Sequence, residues 1–410
     1  MSTRLCLPAA AALLLTACTA IDDAPADSPS AGASSVSATS SPAASASASR
    51  SAVASPEPAS TSARPVPETH EFEVTEHETF DEPWAMAFLP GTDAMVITER
   101  GGTLLIRDDR GIEPVTGTPE SITVAGQGGL GDIIAGPTFT ADGTVYLSWV
   151  NSDSSGRSGA VVGRGRLDVE QRTLTGLEVI WRQVPKTTGD GHFGHRLAVH
   201  DGHLYVTSGE RRQMTPAQDL DTNLGAIVRL TLDGDPAPGN PWAGEGDDVT
   251  DELWSKGHRN PLGISFDADG RLWETEMGPM GGDELNLIEA GGNYGWPEVS
   301  NGTHYDGTDI PDHAKGDGFV APTVWWNPSS SPGSLMIYQG NLFPAWTGDA
   351  FIGALSGEAL IRVDLDGAKA TEKETWSMDA RIRAVAEAPD GSIWLLQDGE
   401  DAKLLELRPA

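Results

Sequence analysis

The stretch NPLGISFDADGRLWETEMG (residues 260–278) sets an apolar segment, an Asp-Gly turn and a second, alternating apolar segment in sequence. Asp-Gly between alternating apolar runs marks an antiparallel hairpin, because the tight turns that match strand twist need a positive φ that Gly adopts without strain. The same phrase, with Asp-Gly or a relative at its turn, recurs as PWAMAFLPGTDAMVITE (83–99), IIAGPTFTADGTVYLSWV (133–150), HRLAVHDGHLYVTSGE (195–210) and RIRAVAEAPDGSIWLLQD (381–398), with a looser copy over 334–367. Six such units, separated by further short strand candidates, imply radial repetition of small antiparallel sheets. The expected fold is all-β, a six-bladed β-propeller of four-stranded antiparallel blades spanning 68–410. A sandwich or two smaller β domains is the alternative, disfavoured because no linker-like stretch interrupts that span. The end segments EFEVTE (71–76) and AKLLELR (402–408) are placed to pair and close the ring, covering edges that would otherwise be exposed.

Composition agrees with many tight turns. The chain holds 48 glycines in 410 residues, against roughly 29 at a typical share of ~7%. Acidic residues outnumber basic ones 60 to 27, a formal charge of -33, which repels nucleic-acid phosphates and anionic headgroups and therefore argues against nucleic acid as a partner. The acid excess by itself reads as a solvated surface.

The first 18 residues carry Arg4, an apolar run from Leu5 to Leu15, and then Leu15-Thr16-Ala17-Cys18. That is the layout of a secretory signal, and it resembles the bacterial lipoprotein signal, in which the Cys after such a tetrapeptide is lipidated. An ordinary signal cleaved near Ala20 is the alternative. Residues 19–67 are Ser, Ala, Pro and Thr with few large apolar groups and read as a disordered tether. Cys6 and Cys18 are the two cysteines, so cleavage before Cys18 leaves no pair to form a disulfide. No apolar run elsewhere reaches the ~18 residues of a membrane span. The expected protein is exported and tethered to the outer face of a bacterial membrane, touching it through the N-terminal lipid alone.

Several segments carry side chains suited to chemistry. In GHFGHRL (191–197), His192 and His195 enter a strand from a Gly-rich turn. Histidine is the usual base near neutral pH, and His192, flanked by Gly191 and Gly194, is the better candidate. The pair could instead share a metal, or one could cap a strand end. In GHRNP (257–261), Arg259 offers a planar fork of donors for a carboxylate or oxyanion and Asn260 can donate and accept; a surface ion pair is the plainer reading of Arg259. EMGPMGGDELNLIEAGGNYGWP (276–297) supplies carbonyls at Gly278 and Pro279 and carboxylates at Asp283 and Glu284, the mixed oxygen set calcium takes, although Asp283 could equally cap a turn. GQGGLGD (126–132) lacks the lysine and helix of a phosphate loop, so Gln127 reads as a polar group turned into a cavity. Arg381 and Arg383 alternate along one strand and so share a face, a clamp for an acidic ligand.

Together PWAMAFLP, GQGGLGD, HFGHRL, LGAIVRL with GNPW, GHRNPLGISF, GPMGGDELNLIEAGGNYGWP and RIRAVAEAPDG resemble, in family order, the PQQ-dependent glucose/sorbosone dehydrogenases, the soluble aldose sugar dehydrogenases. The resemblance implies a propeller whose cavity holds pyrroloquinoline quinone (PQQ) beside Ca²⁺, and an aldose substrate oxidised to a lactone with electrons passed on to an acceptor. It implies that His192 takes the anomeric hydroxyl proton as hydride leaves for the quinone. Arg259 and Asn260 would contact cofactor and developing charge, Gln127 would neighbour the cofactor, and Arg381 and Arg383 would clamp its carboxylates. The carbonyls of Gly278 and Pro279 would ligate the active-site calcium, and Glu284 with the Tyr294 carbonyl a structural one. Three positions depart from the family pattern: Ser356 where members often carry a Lys that helps hold the cofactor, Met277 where a polar residue is common, and Gly191 where glucose-active members place an Asp. A non-catalytic carbohydrate- or protein-binding propeller with a relic site is the alternative that Ser356 and Met277 support. A calcium-dependent lactone hydrolase is a third, weakened by the cluster of Arg259, Arg381 and Arg383, which suits a polyanionic cofactor.

Overall fold

The structure, a computed structural model, describes residues 72–410; the expected signal, Cys18 and the tether lie outside the described residues. The described chain forms six four-stranded antiparallel sheets arranged as a six-bladed propeller. Blade one is Pro83–Phe88, Met95–Glu99, Leu104–Asp108 and Gly111–Pro114; blade two is Leu130–Ala135, Thr144–Ser152, Ser158–Asp168 and Thr173–Arg182. Blade three is Gly194–His200, His203–Ser208, Ala226–Thr231 and Leu253–Lys256; blade four is Pro261–Phe266, Leu272–Glu276, Asp283–Ile288 and Val324–Trp326. Blade five is Pro332–Ile337, Ala350–Ala354, Ala359–Asp366 and Lys369–Ser377. Each repeated phrase of the sequence thus supplies the two inner strands of a blade.

The sixth blade closes the ring. Its inner three strands, Ile382–Glu387, Ile393–Gln397 and Ala402–Pro409, come from the C-terminal end, and the fourth is the N-terminal strand Phe72–Phe80. The pairing runs from Phe72 opposite Pro409 to Phe80 opposite Ala402, so backbone groups of the last strand that would face water are satisfied by the first. Apolar residues from neighbouring blades fill the wedges between them. Between blades five and six, Phe343 stacks on Trp346 with ring centroids 4.2 Å apart, beside Phe351, Ile382 and Leu395. Among the described residues no helix is long and apolar enough to cross a membrane.

Every inner strand breaks register near its start. The shifts fall between Pro83 and Ala85, Leu130 and Ile133, Gly194 and Leu197, Pro261 and Gly263, Pro332 and Ser334, and Ile382 and Ala384. Such bulges bend a strand and re-aim a side chain. Here they turn Trp84, His195, Leu262 and Arg383 into one central cavity. Arg196, buried beside the third bulge, reaches the others. Its Nε donates to the Leu262 carbonyl at 2.9 Å, and its Nη2 to the carbonyls of Gly333 at 2.6 Å, Arg383 at 3.4 Å and Trp84 at 3.5 Å. Its Nη1 lies 3.4 Å from Asp132 Oδ1 on blade two.

Removal of the first strand tests the closure. A chain starting at residue 81 leaves the Ala402–Pro409 strand as an open edge. It is expected to melt at least about 10 °C lower and to self-associate as concentration rises in light scattering; an unchanged melting point and a monomer would contradict the role given to that pairing.

Candidate functional site

The central cavity, about 310 Å³, opens where the inner strands begin; strands of blades one, three, four and six wall it, with loop residues flanking blades two and five. Of the residues singled out in the sequence, Gln127, Asn260, Arg381 and Arg383 line it. Arg381 Nε donates to Asp398 Oδ2 at 2.7 Å and Arg383 Nε to Oδ1 at 2.8 Å. Burial alone would raise the Asp398 carboxyl; the two guanidiniums outweigh it and hold the group below the usual carboxylate range. One carboxylate against two guanidiniums leaves positive charge facing the cavity. Arg100, also in the wall, donates from Nη1 to the Gly126 carbonyl at 2.6 Å and is ion-paired through Nη2 with Glu82, so it adds a donor but little net charge.

His192 sits next to this wall, behind Gln127. Its backbone turns at φ +51°, a left-handed conformation that non-Gly residues adopt at a cost. The turn is held by its N–H, which donates to Gln127 Oε1 at 2.7 Å. On the ring, Nδ1 lies 2.5 Å from Glu210 Oε1, and Glu210 Oε2 accepts the Met214 N–H at 2.5 Å. The Glu210 carboxyl, raised by burial but lowered more by these hydrogen bonds and the neighbouring charges, stays ionised. It therefore accepts from Nδ1–H and leaves Nε2 with a free lone pair. Burial pushes the imidazole down to about 4, with Arg259 acting in the same sense and Glu210 opposing. The result is a neutral imidazole of fixed tautomer.

His195, the second histidine of that segment and the weaker candidate for base, is the one in the cavity wall. The bulge places it there at φ +61°, its ring stacked on Trp84 at 4.7 Å and its Nδ1 2.9 Å from Ser148 Oγ. Arg259 is not in the cavity wall. Its Nη1 donates to the Met277 carbonyl at 2.8 Å and its Nη2 to Tyr305 Oη at 3.2 Å, over the Trp296 ring at 5.3 Å. Its buried Nε and the buried Asn260 Oδ1 have no hydrogen-bond partner, so donor and acceptor capacity is left for a ligand.

Strand alternation separates the paired acids. Asp283 turns to the loops, accepting the Gly278 N–H at 2.9 Å, the Ser331 N–H at 2.6 Å and the Ser329 hydroxyl at 2.6 Å, the turn-organising alternative. Glu284 turns the other way, into a buried acidic pocket with Glu274, Glu276 and Asn286, whose amide donates at 3.2 Å to both Glu274 and Glu284. Burial first, then repulsion from Glu276, raises the carboxyls of Glu274 and Glu284. Ligand atoms of Glu274, Glu276 and His258 lie within 4.8 Å of one another. Yet His258 is already engaged, Nδ1 to Glu276 at 3.0 Å and Nε2 to Ser255 at 2.9 Å. The groups left over are oxygens: Glu274 Oε1 and Asn286 Oδ1 are buried without a partner. Glu276 and Glu284 also line an adjoining cavity of about 10 Å³, with Gly278, Tyr294 and Arg259. A hard divalent cation fits this donor set. Pro279 is buried but lines neither cavity.

Ser356 hydrogen-bonds Ser331 Oγ at 2.7 Å and is exposed. Glu210, Arg100, Trp84 and Tyr305 are site residues that sequence reading passed over. Each stands in a loop or repeat that looked structural, and each is joined to the site by contacts distant in sequence.

The glucose/sorbosone dehydrogenase family model matches residues 80–406. The aldose sugar dehydrogenase YliI of Escherichia coli is 37% identical over 353 residues, covering 84% of this chain and 94% of that protein. The crystal structure of the soluble Escherichia coli aldose sugar dehydrogenase in its apo form superposes with a TM-score of 0.79, at 37% identity, over 83% of this chain and 100% of that one. The PQQ-bound aldose sugar dehydrogenase of Streptomyces coelicolor superposes with a TM-score of 0.68, at 28% identity, over 83% and 98%. By its matched residues and its ring of six blades, this chain belongs to the glucose/sorbosone dehydrogenase family.

Proposed function

We propose that the protein oxidises aldose sugars to lactones with PQQ and Ca²⁺. The observation that carries this reading is a neutral, oriented imidazole beside a cavity walled by guanidiniums. Bound PQQ would supply the quinone carbon that accepts hydride from the anomeric carbon, with calcium polarising the quinone oxygen. His192 Nε2 takes the anomeric hydroxyl proton as the C–H bond breaks, and Glu210 stabilises the imidazolium so formed. Arg381 and Arg383 receive the cofactor carboxylates, displacing part of their pairing with Asp398. Gln127 and Asn260 present polar atoms to the cofactor, and Arg259, swung from Tyr305, meets the developing oxyanion. The carbonyls of Gly278 and Pro279 would ligate the active-site calcium, and Glu284 with the Tyr294 carbonyl a structural one, Gly278, Glu284 and Tyr294 all lining the smaller cavity. The two electrons then pass to an acceptor outside the chain. The N-terminal sequence supports export and a lipid on Cys18 that tethers the enzyme to the outer face of a bacterial membrane.

Titrating the purified protein with PQQ and Ca²⁺, then adding a panel of aldoses and following reduction of an artificial dye, tests this reading. Absence of both a spectral change and dye reduction would reject it. His192→Ala should abolish turnover while PQQ still binds; surviving turnover would remove His192 as base. Glu210→Gln should lower kcat about 10–100-fold through loss of orientation.

The pH profile carries a sign. His192 works as a base when neutral, and its folded value is lowered to about 4 from 6.5. The acid limb of kcat/KM for the PQQ-loaded enzyme should therefore fall as pH drops through about 4, with no break near 6.5. A break near 6.5 would place another group, or an exposed imidazole, in control.

Chelation followed by re-addition of Ca²⁺ should lower and restore the melting temperature, and Glu284→Gln should remove that response. A melting temperature indifferent to Ca²⁺ would exclude the acidic pocket as a calcium site.

A further inference from the structure

Beside the proposed base, the loop after Glu210 runs through positive φ at Arg211 (+61°), Arg212 (+57°) and Met214 (+64°), where L residues are strained and glycine is favoured. Two of its side chains have evident work. Glu210 fixes His192, and buried Arg211 donates to the carbonyls of Gly191, Ser158 and Gly189 at 3.0, 2.9 and 2.7 Å. Arg212 does not share in this. Its side chain is 51% exposed, and its nearest carboxylate, Asp190, is 3.9 Å away, beyond hydrogen-bond reach and worth little at that exposure.

What Arg212 touches is Gly191, the residue before His192. A Cβ built on Gly191 would fall 2.5 Å from Arg212 Nε and 2.8 Å from its Cζ. The guanidinium therefore lies across the glycine that precedes the base, in space an ordinary side chain there would claim. The position faces the cavity rim: the Asp190 carbonyl accepts the N–H of the wall residue Gln127 at 2.7 Å, and Gly126, also in the wall, packs on the Asp190 side chain. A strained residue, a missing Cβ and an exposed fork of donors coincide beside His192.

We propose that Arg212 is a specificity-determining residue that directs the site toward aldoses bearing an anionic substituent, a carboxylate or a phosphate ester, by a charge-assisted hydrogen bond at the rim. The inference rests on the reading of the cavity as an aldose-oxidising site. The missing side chain at Gly191 leaves room for the guanidinium beside His192, and with Arg381 and Arg383 taken by the cofactor, Arg212 is the cation left exposed there.

The test compares kcat/KM of the PQQ-loaded enzyme on D-glucuronate and D-galacturonate with D-glucose and D-galactose, and on glucose 6-phosphate, in the wild type and Arg212→Gly. Glycine suits φ +57°, so this variant keeps the loop conformation; a melting curve checks the fold, and Arg212→Lys serves if it fails. The wild type should favour the anionic sugar about tenfold or more over its neutral counterpart, the scale of one hydrogen bond to a charged group. The preference should shrink with salt and approach unity in Arg212→Gly, while Arg212→Lys keeps part of it. Preference for uronates alone would identify a carboxylate as the substituent, and preference for the phosphate ester alone a phosphate. Equal or better use of neutral sugars by the wild type, or a preference that survives Arg212→Gly, overturns the inference. So does a large rise in the PQQ dissociation constant of Arg212→Gly with the sugar preference intact, which would make Arg212 a cofactor ligand. If the wild type oxidises no aldose at all, the reading of the site fails; if it oxidises neutral aldoses without discrimination, that reading stands and this inference falls.

Discussion

One guanidinium, that of Arg196, is shared among all six blades. It rises from the bulge of blade three and holds the bulged carbonyls of blades one, four, five and six, with its charge set against Asp132 of blade two. Burial lowers the Arg196 guanidinium to about 10, against the opposing pull of Asp132, so it stays charged at neutral pH. A buried ion is costly unless its donors are met, and here they can be met together when all six inner strands are bent alike. The same bends aim Trp84, His195, Leu262 and Arg383 at the cavity. Arg196 also lies over the Trp84 ring at 3.9 Å, a cation–π contact that sets the wall from beneath. Folding of the ring and construction of the site are thus one constraint.

Above that floor the electrostatics separate. A chain with a formal charge of -33 collects guanidiniums around one cavity and carboxylates in a second pocket adjoining it through Met277. The first is walled by Arg100, Arg381 and Arg383 and also holds the unpartnered Asn260 Oδ1; the second gathers Glu276 and Glu284, with the unpartnered Arg259 Nε beside them. A polyanion and a divalent cation answer these needs separately, and the neutral His192 stands beside the first.

The fold was legible because its determinants are local. Asp-Gly at four turns and a related tight turn at the other two recur between alternating apolar segments, and the terminal segments carry the pattern of strands, so the blades and their closure could be read directly. The arginines of RIR share a face for the same period-two reason. Side-chain destinations set by the bulges were less legible. A bulge reverses which residue faces the cavity, so His195 arrives in the wall and His192 beside it, against the simpler expectation. Glu210, Arg100 and Arg196 looked like ordinary members of a repeat, since their partners come from other blades. The acids Asp283 and Glu284 read as a pair, yet alternation sends one to a serine-rich loop and the other to the metal-like pocket.

Proton removal by His192, coupled to two-electron transfer, is the step proposed for this site. The most direct measurement is an anaerobic addition of aldose to the PQQ-loaded protein without any acceptor, following the quinone absorption in the wild type and in His192→Ala. The account predicts loss of that absorption by one equivalent of sugar per site in the wild type, and an unchanged spectrum in the variant with cofactor still bound. Equal loss in both would contradict it.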